Sequence, residues 1–473
     1  MHSQPASSTK TSRSDRRAAI QTATAVGVFL LLLLAPLPGN LPPQGQRVLA
    51  VVGLAVVLWV TELVPNAVTG LLAVVLLALT GGAKDVNAAI SGFASPTSYF
   101  LIGILGLGLG VTRSGLAGRV ARWATSWAKG SPRLLYWQML LSYVPMTLLL
   151  PSATTRSSIQ IPVYDRVLDQ WGVAQTHPFG KAVTQSLGSL NRLASTALLT
   201  GGTSPVVAAG LLGGIGWGRW FLLLALPYYA MMVIGGVALY LWYRKGFSVV
   251  PQQAAQAEVR PWTGAELRAT AIALLTAGLW FTDSLHHLHP AVPALLALVL
   301  MLLPKVGVLT WRELERDMSW STFVTLATSL SLANAMVESG VAAWMAGGMK
   351  AVAGPVTSSP IGVLIALTLV CLGIRLFIPS IVGYLAFVIP VAVSLAHALG
   401  YNPLPYGLAA LIIGDSVVFY PAAGTSGVLV YARGNVTGIE VFRLALLMAV
   451  MAFLILLAIA VPWWALMGEP LRP

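Results

Sequence analysis

Apolar runs of about 20 residues, separated by short polar loops, follow one another along nearly the whole chain. A run of that length is what a helix needs to cross the hydrocarbon core of a bilayer. Within the runs, apolar residues do not alternate with polar ones as they do in the strands of outer-membrane barrels. The pattern therefore predicts an all-α polytopic membrane protein with about eleven transmembrane helices.

Two segments depart from this pattern because each carries a turn signal between apolar flanks. The first is LPSATTRSSIQIPV, residues 150–163, and the second is IPSIVGYLAFVIPV, residues 378–391. Both contain Pro-Ser followed eleven residues later by Pro-Val. Since proline suits the first turn of a helix better than its interior, we predict two re-entrant hairpins, at 135–170 and 358–397, whose short helices meet at the Pro-Ser pairs.

Two further apolar runs are interrupted by glycine and hydroxyl residues. GGTSP breaks the run at 178–215, and PAAGTSG breaks the run at 405–433. Backbone without helical hydrogen bonds is tolerated at membrane depth only inside protein or beside a water-filled cavity. We therefore predict two broken helices that line an internal site.

These landmarks recur in the same order in the two halves of the chain. Ser114-Gly115 matches Ser339-Gly340 at an offset of 225 residues, and Ser152 matches Ser380 at an offset of 228. Gly202-Thr203-Ser204 matches Gly424-Thr425-Ser426 at an offset of 222. Each unit holds an odd number of predicted spans, so the second copy is expected to be inverted. Inverted repeats with a site at their interface are a recurring plan of secondary transporters.

The prediction divides the chain into a tail, two repeats and a linker. Residues 1–17 are expected to be a disordered cytoplasmic tail, 18–243 the first helix and first repeat, 244–266 a cytoplasmic linker, and 267–468 the second repeat. In the first repeat we expect early helices at 47–130, a hairpin at 135–170, a broken helix at 178–215 and a last helix at 219–243. In the second repeat we expect the same elements at 267–352, 358–397, 405–433 and 440–468.

Composition and charge support a membrane protein. The chain is 57% hydrophobic and 9% charged, whereas soluble domains carry roughly a quarter charged residues. The net charge of +13 comes from basic residues in short loops, so it indicates orientation in a cell (inner or plasma) membrane rather than nucleic-acid binding. The positive-inside bias predicts a cytoplasmic N-terminus and an external C-terminus. No GxxxxGK[ST] loop is present, which argues against ATP drive.

The predicted turns and breaks suggest the chemistry of the site. A helix that starts at each Pro-Ser pair would present free N–H groups and a positive dipole end to an anion. Hydroxyls and unbonded carbonyls at the same places would instead suit a small cation such as Na⁺. The residues alone leave these two ligands open.

The chain also resembles the divalent anion/sodium symporter family, which carries di- and tricarboxylates or sulfate. LWVTELVPNAVTGLLAVVLLALTG, residues 58–81, resembles the W-x-T-E-x-x-P helix pair of that family, and residues 318–346 resemble a later helix. Ser152-Ala153-Thr154 and Ser380-Ile381-Val382 occupy the positions of its two Ser-Asn-Thr tips. GTSP and GTSG resemble its Gly-Thr-Pro breaks.

The resemblance implies a homodimer in which the early helices form a fixed scaffold. Hairpins and broken helices would move as an elevator, most simply coupled to two Na⁺ ions that bind beside the tips. A small anion would bind between the tips, and no enzymatic reaction is implied. The expected substrate-binding residues are Ser152, Ala153, Thr154, Arg156, Thr203, Ser204, Ser380, Thr425 and Ser426, and the expected sodium-binding residues are Ser152, Gly202, Ser380 and Gly424.

Departures from the family pattern leave alternatives open. Ala153 and Ile381 replace both tip asparagines, while Arg156 adds a cation that exchanger branches also carry just past the tip. Arg156 could thus supply the charge of one Na⁺ in a Na⁺-independent exchanger, or it could pair with Asp165 or extend to the interface. The roles of Arg375 and Asp415 stay open. A membrane-embedded enzyme, a function of another class, would need a catalytic set that the sequence does not offer.

Overall fold

A computed structural model describes residues 8–37, 39, 41–126, 130–248, 261–354, 358–421 and 425–472. Throughout these residues the secondary structure is helical, with no strand. Within the described part of the chain, six helices are long and apolar enough to cross a membrane, or seven if the bent pair at residues 96–114 and 116–123 counts as one span. The all-helical membrane class is confirmed, and the larger number of spans stays a prediction.

The first helix in the first half of the chain is the long Ser8–Leu34. Next come Pro43–Thr61, Asn66–Leu79, Val86–Ala89, Pro96–Ser114, Leu116–Ser126, Pro132–Leu149, Ala153–Gln170, Pro178–Gln185, Asn191–Ala197, Thr203–Leu211 and Trp217–Trp242. A π-helical turn, Ser186–Leu190, joins Pro178–Gln185 to Asn191–Ala197 without a break, and 3₁₀ turns lie at Ser91–Ala94 and Arg244–Ser248.

The second half repeats this order. Its helices are Gly264–Phe281, Asp283–His286, Ala291–Leu302, Trp311–Asp317, Trp320–Glu338, Val341–Ala353, Pro360–Phe377, Ile381–Ala398, Pro403–Ser416, Thr425–Tyr431, Gly438–Ile455 and Val461–Leu466. A π-helical turn, Leu456–Ala460, again joins two of them.

Each Pro-Ser pair lies in a three-residue turn between two helices of equal length. Residues 150–152 join Pro132–Leu149 to Ala153–Gln170, which we call the first hairpin, and residues 378–380 join Pro360–Phe377 to Ile381–Ala398, the second hairpin. Every one of the four helices is 18 residues long. Whether the hairpins re-enter the membrane from one side stays a prediction.

The two halves are interlocked by reciprocal contacts. Pro96–Ser114 packs against Ala291–Leu302 of the other half, and its counterpart Trp320–Glu338 packs against Asn66–Leu79. At the breaks, Thr203–Leu211 packs on the second hairpin, while Thr425–Tyr431 packs on the first. Two repeats related by a two-fold axis would give this exchange of partners.

Small residues allow the closest of these contacts. A Cβ atom added at Gly103 would lie 2.5 Å from the carbonyl carbon of Ala294. One added at Gly92 would lie 1.9 Å from the carbonyl oxygen of Ala327. Small residues at such crossings let helix backbones approach and pack without a hydrophobic driving force between them.

The N-terminal expectation requires a correction. Residues 8–17 were expected to be part of a disordered tail, but they continue the helix Ser8–Leu34. These residues include no helix-breaking proline or glycine, so an apolar helix already nucleated downstream can extend through them. Residues 1–7, and 249–260 of the predicted linker, lie outside the described residues.

The close crossing at Gly103 should be sensitive to a single methyl group. We expect Gly103→Ala to lower stability by about 1–3 kcal/mol, because overpacking forces the two backbones apart. Thermal unfolding of the purified protein in detergent measures the change. Gly278→Ala is the matched control, since no heavy atom lies within 4 Å of a Cβ there, and it should stabilise its helix by about 0.5–1 kcal/mol. Equal effects of the two substitutions would contradict the packing argument.

Candidate functional site

A cavity of about 300 Å³ lies where the two hairpin turns and the two breaks converge. Hydroxyl groups line much of its wall, together with one arginine and one carboxylate. Its lining consists of Leu105, Ser152, Ala153, Thr154, Thr155, Arg192, Ser195, Thr196, Gly202, Thr203, Ser204, Pro205, Ser319, Thr322, Pro379, Ile381, Asp415 and Ser426.

The first hairpin turn presents a helix N-terminus to this cavity. Ser152 is the N-cap of Ala153–Gln170, and its Oγ accepts a hydrogen bond from the backbone N–H of Thr155 at 3.2 Å. Serine is a favoured N-cap because it satisfies one of the free N–H groups of the first turn. The predicted residues Ser152, Ala153 and Thr154 all line the cavity.

The second hairpin turn presents a more apolar surface. Pro379 and Ile381 line the cavity. Ser380 does not, because its side chain is buried and its Oγ accepts from the backbone N–H of Gly383 at 3.3 Å. The structure therefore places the predicted residue Ser380 beside the cavity as a helix cap rather than in its wall.

The first break depends on a glycine that no other residue could replace. At Gly201 a Cβ atom would lie 2.0 Å from the carbonyl oxygen of Ser195, closer than any real contact. This approach folds the chain back after residue 197, so that a new helix begins at Thr203. The predicted residues Gly202, Thr203 and Ser204 line the cavity as a result.

The second break contributes Ser426 to the cavity wall. Thr425 begins the helix Thr425–Tyr431, but its side chain lies outside what the structure describes. Gly424, predicted to bind sodium, lies outside the described residues.

Arg156 lies behind the first hairpin turn and is fully buried. Its Nε donates to Asn191 Oδ1 at 2.8 Å, and its Nη1 donates to the carbonyl oxygens of Leu150 at 2.7 Å and Gly201 at 3.3 Å. Its Nη2 donates to the carbonyl oxygen of Asn191 at 3.0 Å and to Ser195 Oγ. The guanidinium thus joins the hairpin turn to the broken helix.

The structure places Arg156 behind the cavity wall, so its direct contact with substrate stays a prediction. All of its nitrogens bond to protein oxygens, and it is not among the residues that line the cavity. The alternative pairing with Asp165 is wrong, because Asp165 pairs with Arg433 at 2.5 Å. From this position Arg156 acts on a bound anion through its field, which a low-dielectric interior transmits well.

Arg375 makes a similar connection at the second hairpin. Its Nη1 donates to the carbonyl oxygens of Ile378 and, at 3.0 Å, Pro379, and its Nε donates to that of Gly414 at 2.8 Å. The side chain is 2% exposed. Its Nη2 is buried without a hydrogen-bond partner among the described residues.

An ion pair between the two broken helices forms part of the cavity wall. Arg192 Nη2 lies 3.2 Å from Asp415 Oδ1, and Thr196 Oγ1 donates to Asp415 Oδ2 at 2.5 Å. Arg192 and Thr196 are one helical turn apart, which brings both to the same face of their helix. The pair links the two repeats at the point where both helices are interrupted.

The buried charges around the cavity do not cancel. Arg156, Arg192, Arg375 and Asp415 are between 0% and 8% exposed. Three positive charges and one negative charge leave a net charge of +2. Among the described residues the one other buried acidic side chain is Glu266, which pairs with Arg119 at 2.9 Å away from the cavity wall.

The sodium sites stay a prediction, and guanidinium groups already bond several carbonyl oxygens near them. The guanidinium groups of Arg156 and Arg375 already donate to carbonyl oxygens that the turns and breaks expose. These oxygens belong to Leu150, Gly201, Ile378, Pro379 and Gly414. An ion at either tip would therefore compete with a fixed positive charge for its oxygen ligands. Within the described residues no cluster of His, Cys, Asp or Glu side chains could hold a metal ion.

The predicted site residues did not include Arg192, Ser195, Thr196 or Asp415, although the sequence left the role of Asp415 open. A signal was present, since Arg192 and Asp415 are charged residues inside apolar runs, and such residues face protein or a cavity. The sequence could not show that they pair, because 223 residues separate them along the chain.

Known proteins resemble this chain in sequence over most of its length. The family model described as "Sodium:sulfate symporter transmembrane region" matches residues 17–469. The chain is 24% identical to a citrate/succinate antiporter of Escherichia coli K12, over 92% of this chain and 96% of that protein. It is 23% identical to an L-tartrate/succinate antiporter of Escherichia coli UTI89, over 93% and 96%. The Alcanivorax borkumensis YdaH transporter matches with a TM-score of 0.49 and 16% identity, over 81% of this chain and 88% of that one.

Arg156 should be a major determinant of stability. Arg156→Gln leaves several buried carbonyl oxygens without donors, so we expect a loss of about 3 kcal/mol or more. Arg156→Lys should rescue little, because an ammonium cannot reproduce the planar fork. Thermal unfolding in detergent measures both effects. The control is Arg433→Gln, which breaks a partly exposed ion pair worth about 0–1 kcal/mol. A wild-type melting temperature for Arg156→Gln would rule out the structural role.

Proposed function

The chain belongs to the sodium:sulfate symporter family, and from that premise we propose that it exchanges small dicarboxylates across the cell membrane without coupling to Na⁺. The family and the relatives are transporters, so the chain is a transporter and not an enzyme. Its class as a divalent-anion carrier follows from the same matches. Substrate, coupling and movement are the parts that we propose.

The observation that carries the proposal is the net charge of +2 around the cavity. A charge inside the membrane is costly unless it is paired or in contact with water. With a dianion bound, the buried charges sum to zero, and the loaded site can move through an apolar environment. Without it, the site retains two positive charges and its movement is opposed. A carrier that crosses readily only when loaded performs exchange.

The fixed arginines also replace the role that Na⁺ was expected to have. In a symporter, bound cations would neutralise the substrate and leave with it, so the empty carrier could return. Here Arg156 and Arg375 remain with the protein and already bond the exposed carbonyls. Both relatives compared above are named antiporters, which supports the same conclusion.

Dicarboxylates are favoured over sulfate by the size and polarity of the cavity. About 300 Å³ lined by hydroxyls from the first hairpin and both breaks accommodates a four-carbon acid with a carboxylate at each end. Succinate occurs in the names of both relatives. We take it as the first substrate to test.

We further propose that the carrier works as a dimeric elevator. Leu105, Ser319 and Thr322 of the early helices form one side of the cavity, while the hairpins and broken helices form the rest. A site at such a boundary changes its access when one unit slides along the other. The dimer would keep the early helices fixed in the bilayer.

Counterflow in proteoliposomes tests the exchange. We expect uptake of labelled succinate to require unlabelled succinate inside the vesicles, because the empty carrier does not return. Replacing external Na⁺ by choline should leave the rate unchanged. Vesicles without protein and vesicles without internal substrate are the controls.

Two other results would each contradict a different part of the proposal. Uptake into empty vesicles driven by a Na⁺ gradient would contradict exchange and restore Na⁺ coupling. Exchange of sulfate but not succinate would support the exchange mechanism and contradict the choice of a dicarboxylate as the substrate.

Cross-linking tests the elevator. A Cβ atom at Gly108 would lie 2.8 Å from Pro151 Cδ, so helix Pro96–Ser114 contacts the first hairpin turn there. We expect oxidation of a Gly108→Cys/Pro151→Cys variant to abolish exchange and reductant to restore it, because a disulfide would hold the hairpin against the scaffold. Cys371 is the one native cysteine and is buried.

The comparison is made between oxidised and reduced samples of each variant. Each single cysteine variant should exchange at the same rate in both states. An oxidised double variant that forms the disulfide and still exchanges would exclude movement at this contact.

A further inference from the structure

We infer that the Arg192–Asp415 pair sets the valence of the anion that the carrier transports. This inference rests on the proposed exchange function, and it assigns a specificity role to two residues that the family resemblance did not mark. Asp415 is the single negative charge in the described cavity wall, and Arg192 is the single positive one. A bound anion can therefore contact both.

The pair is held rigidly at the breaks. Asp415 lies in the last turn of Pro403–Ser416, and Arg192 lies in Asn191–Ala197, just before the first break. Both carboxylate oxygens of Asp415 are engaged, one by Arg192 and one by Thr196. A carboxylate so fixed is a permanent part of the charge that the substrate meets.

The other charged groups near Asp415 are positive. Arg375 lies on the packed helix Pro360–Phe377 and bonds the carbonyl of Gly414, the residue before Asp415. Tyr228, on Trp217–Trp242, lies near Asp415, and Tyr384, on Ile381–Ala398, lies near Arg375. Among the described residues that line the cavity, no second carboxylate is present to share the role of Asp415.

The charge of the site then predicts which anions can cross. With Asp415 ionised the net charge is +2, which a dianion neutralises. Asp415→Asn raises it to +3, which a trianion such as citrate neutralises. Arg192→Gln lowers it to +1, which favours a monoanion. The double variant restores +2 and, with it, the preference for a dianion.

A purely structural role for the pair makes a different prediction. If the ion pair only holds the broken helices together, removing either partner leaves an unpaired buried charge and destabilises the protein. Exchange of every anion would then fall by a similar factor. The ratio of rates between anions of different valence separates the two roles.

The experiment measures exchange of labelled succinate and citrate at a pH where both acids are fully ionised. We expect Asp415→Asn to raise the citrate-to-succinate ratio about tenfold, equivalent to about 1.4 kcal/mol between the two anions. Arg192→Gln should lower the ratio by a similar factor, and Arg192→Gln/Asp415→Asn should return it close to the wild-type value. Arg433→Gln also removes one positive charge, from an ion pair with Asp165 outside the cavity wall, so it is the matched control and should leave the ratio unchanged.

The outcomes distinguish this inference from the proposed function. A wild-type protein that exchanges neither acid fails the proposed function. A wild type that exchanges succinate, with variants that lose both acids equally, overturns the valence role alone. If Asp415→Asn does not fold, Arg192→Gln and the double variant, which leaves no unpaired charge, are compared by the same citrate-to-succinate ratio. An unchanged ratio in Arg192→Gln overturns the inference.

Discussion

The structure depends on how carbonyl groups are satisfied where helices stop inside the protein. Two hairpin turns and two breaks expose backbone oxygens that lipid cannot bond, and each such group costs free energy if left alone. The chain meets this need with arginines that reach across elements, as Arg156 does from the first hairpin to Asn191 and Gly201. A guanidinium offers five donors and does not lose its proton. The same side chains that satisfy the backbone therefore place permanent positive charge in the membrane.

That charge connects the fold to the mode of transport. Asp415 neutralises one arginine, and a net charge of +2 is left for the substrate to neutralise. In a low-dielectric interior an unmet charge costs far more than in water, so in the proposed mechanism bound substrate is what makes movement possible. The proposed exchange needs only these electrostatics, without any further device to prevent the empty carrier from returning.

The sequence was informative where a local rule decides the structure. Pro-Ser marks each hairpin turn because proline disfavours continuation of the helix before it and serine is a favoured N-cap. The helices begin at Ala153 and Ile381, directly after their serines. The glycine breaks were visible for the same reason. The direction of each side chain was not visible in the sequence. Arg156 lies two residues past lining residue Thr154, and this rotation of about half a helical turn points it away from the cavity. The pair of Arg192 with Asp415 depends on how two distant breaks meet, which no local pattern encodes.

The two repeats meet the same need with residues at different positions. Arg156 follows its tip serine, whereas Arg375 precedes its own, and the hairpin offset of 228 residues places Tyr384 opposite Arg156 and Thr147 opposite Arg375. Those counterparts are hydroxyl side chains, and they donate to the carbonyl oxygens of Ala410 at 3.1 Å and Tyr143 at 2.6 Å. The common feature is thus one arginine behind each tip, with the Arg192–Asp415 pair as a neutral link between the breaks. Two separated positive charges match an anion that carries one charge at each end better than one whose charges share a single centre. This distribution is a physical reason to expect dicarboxylates rather than sulfate, independent of any relative.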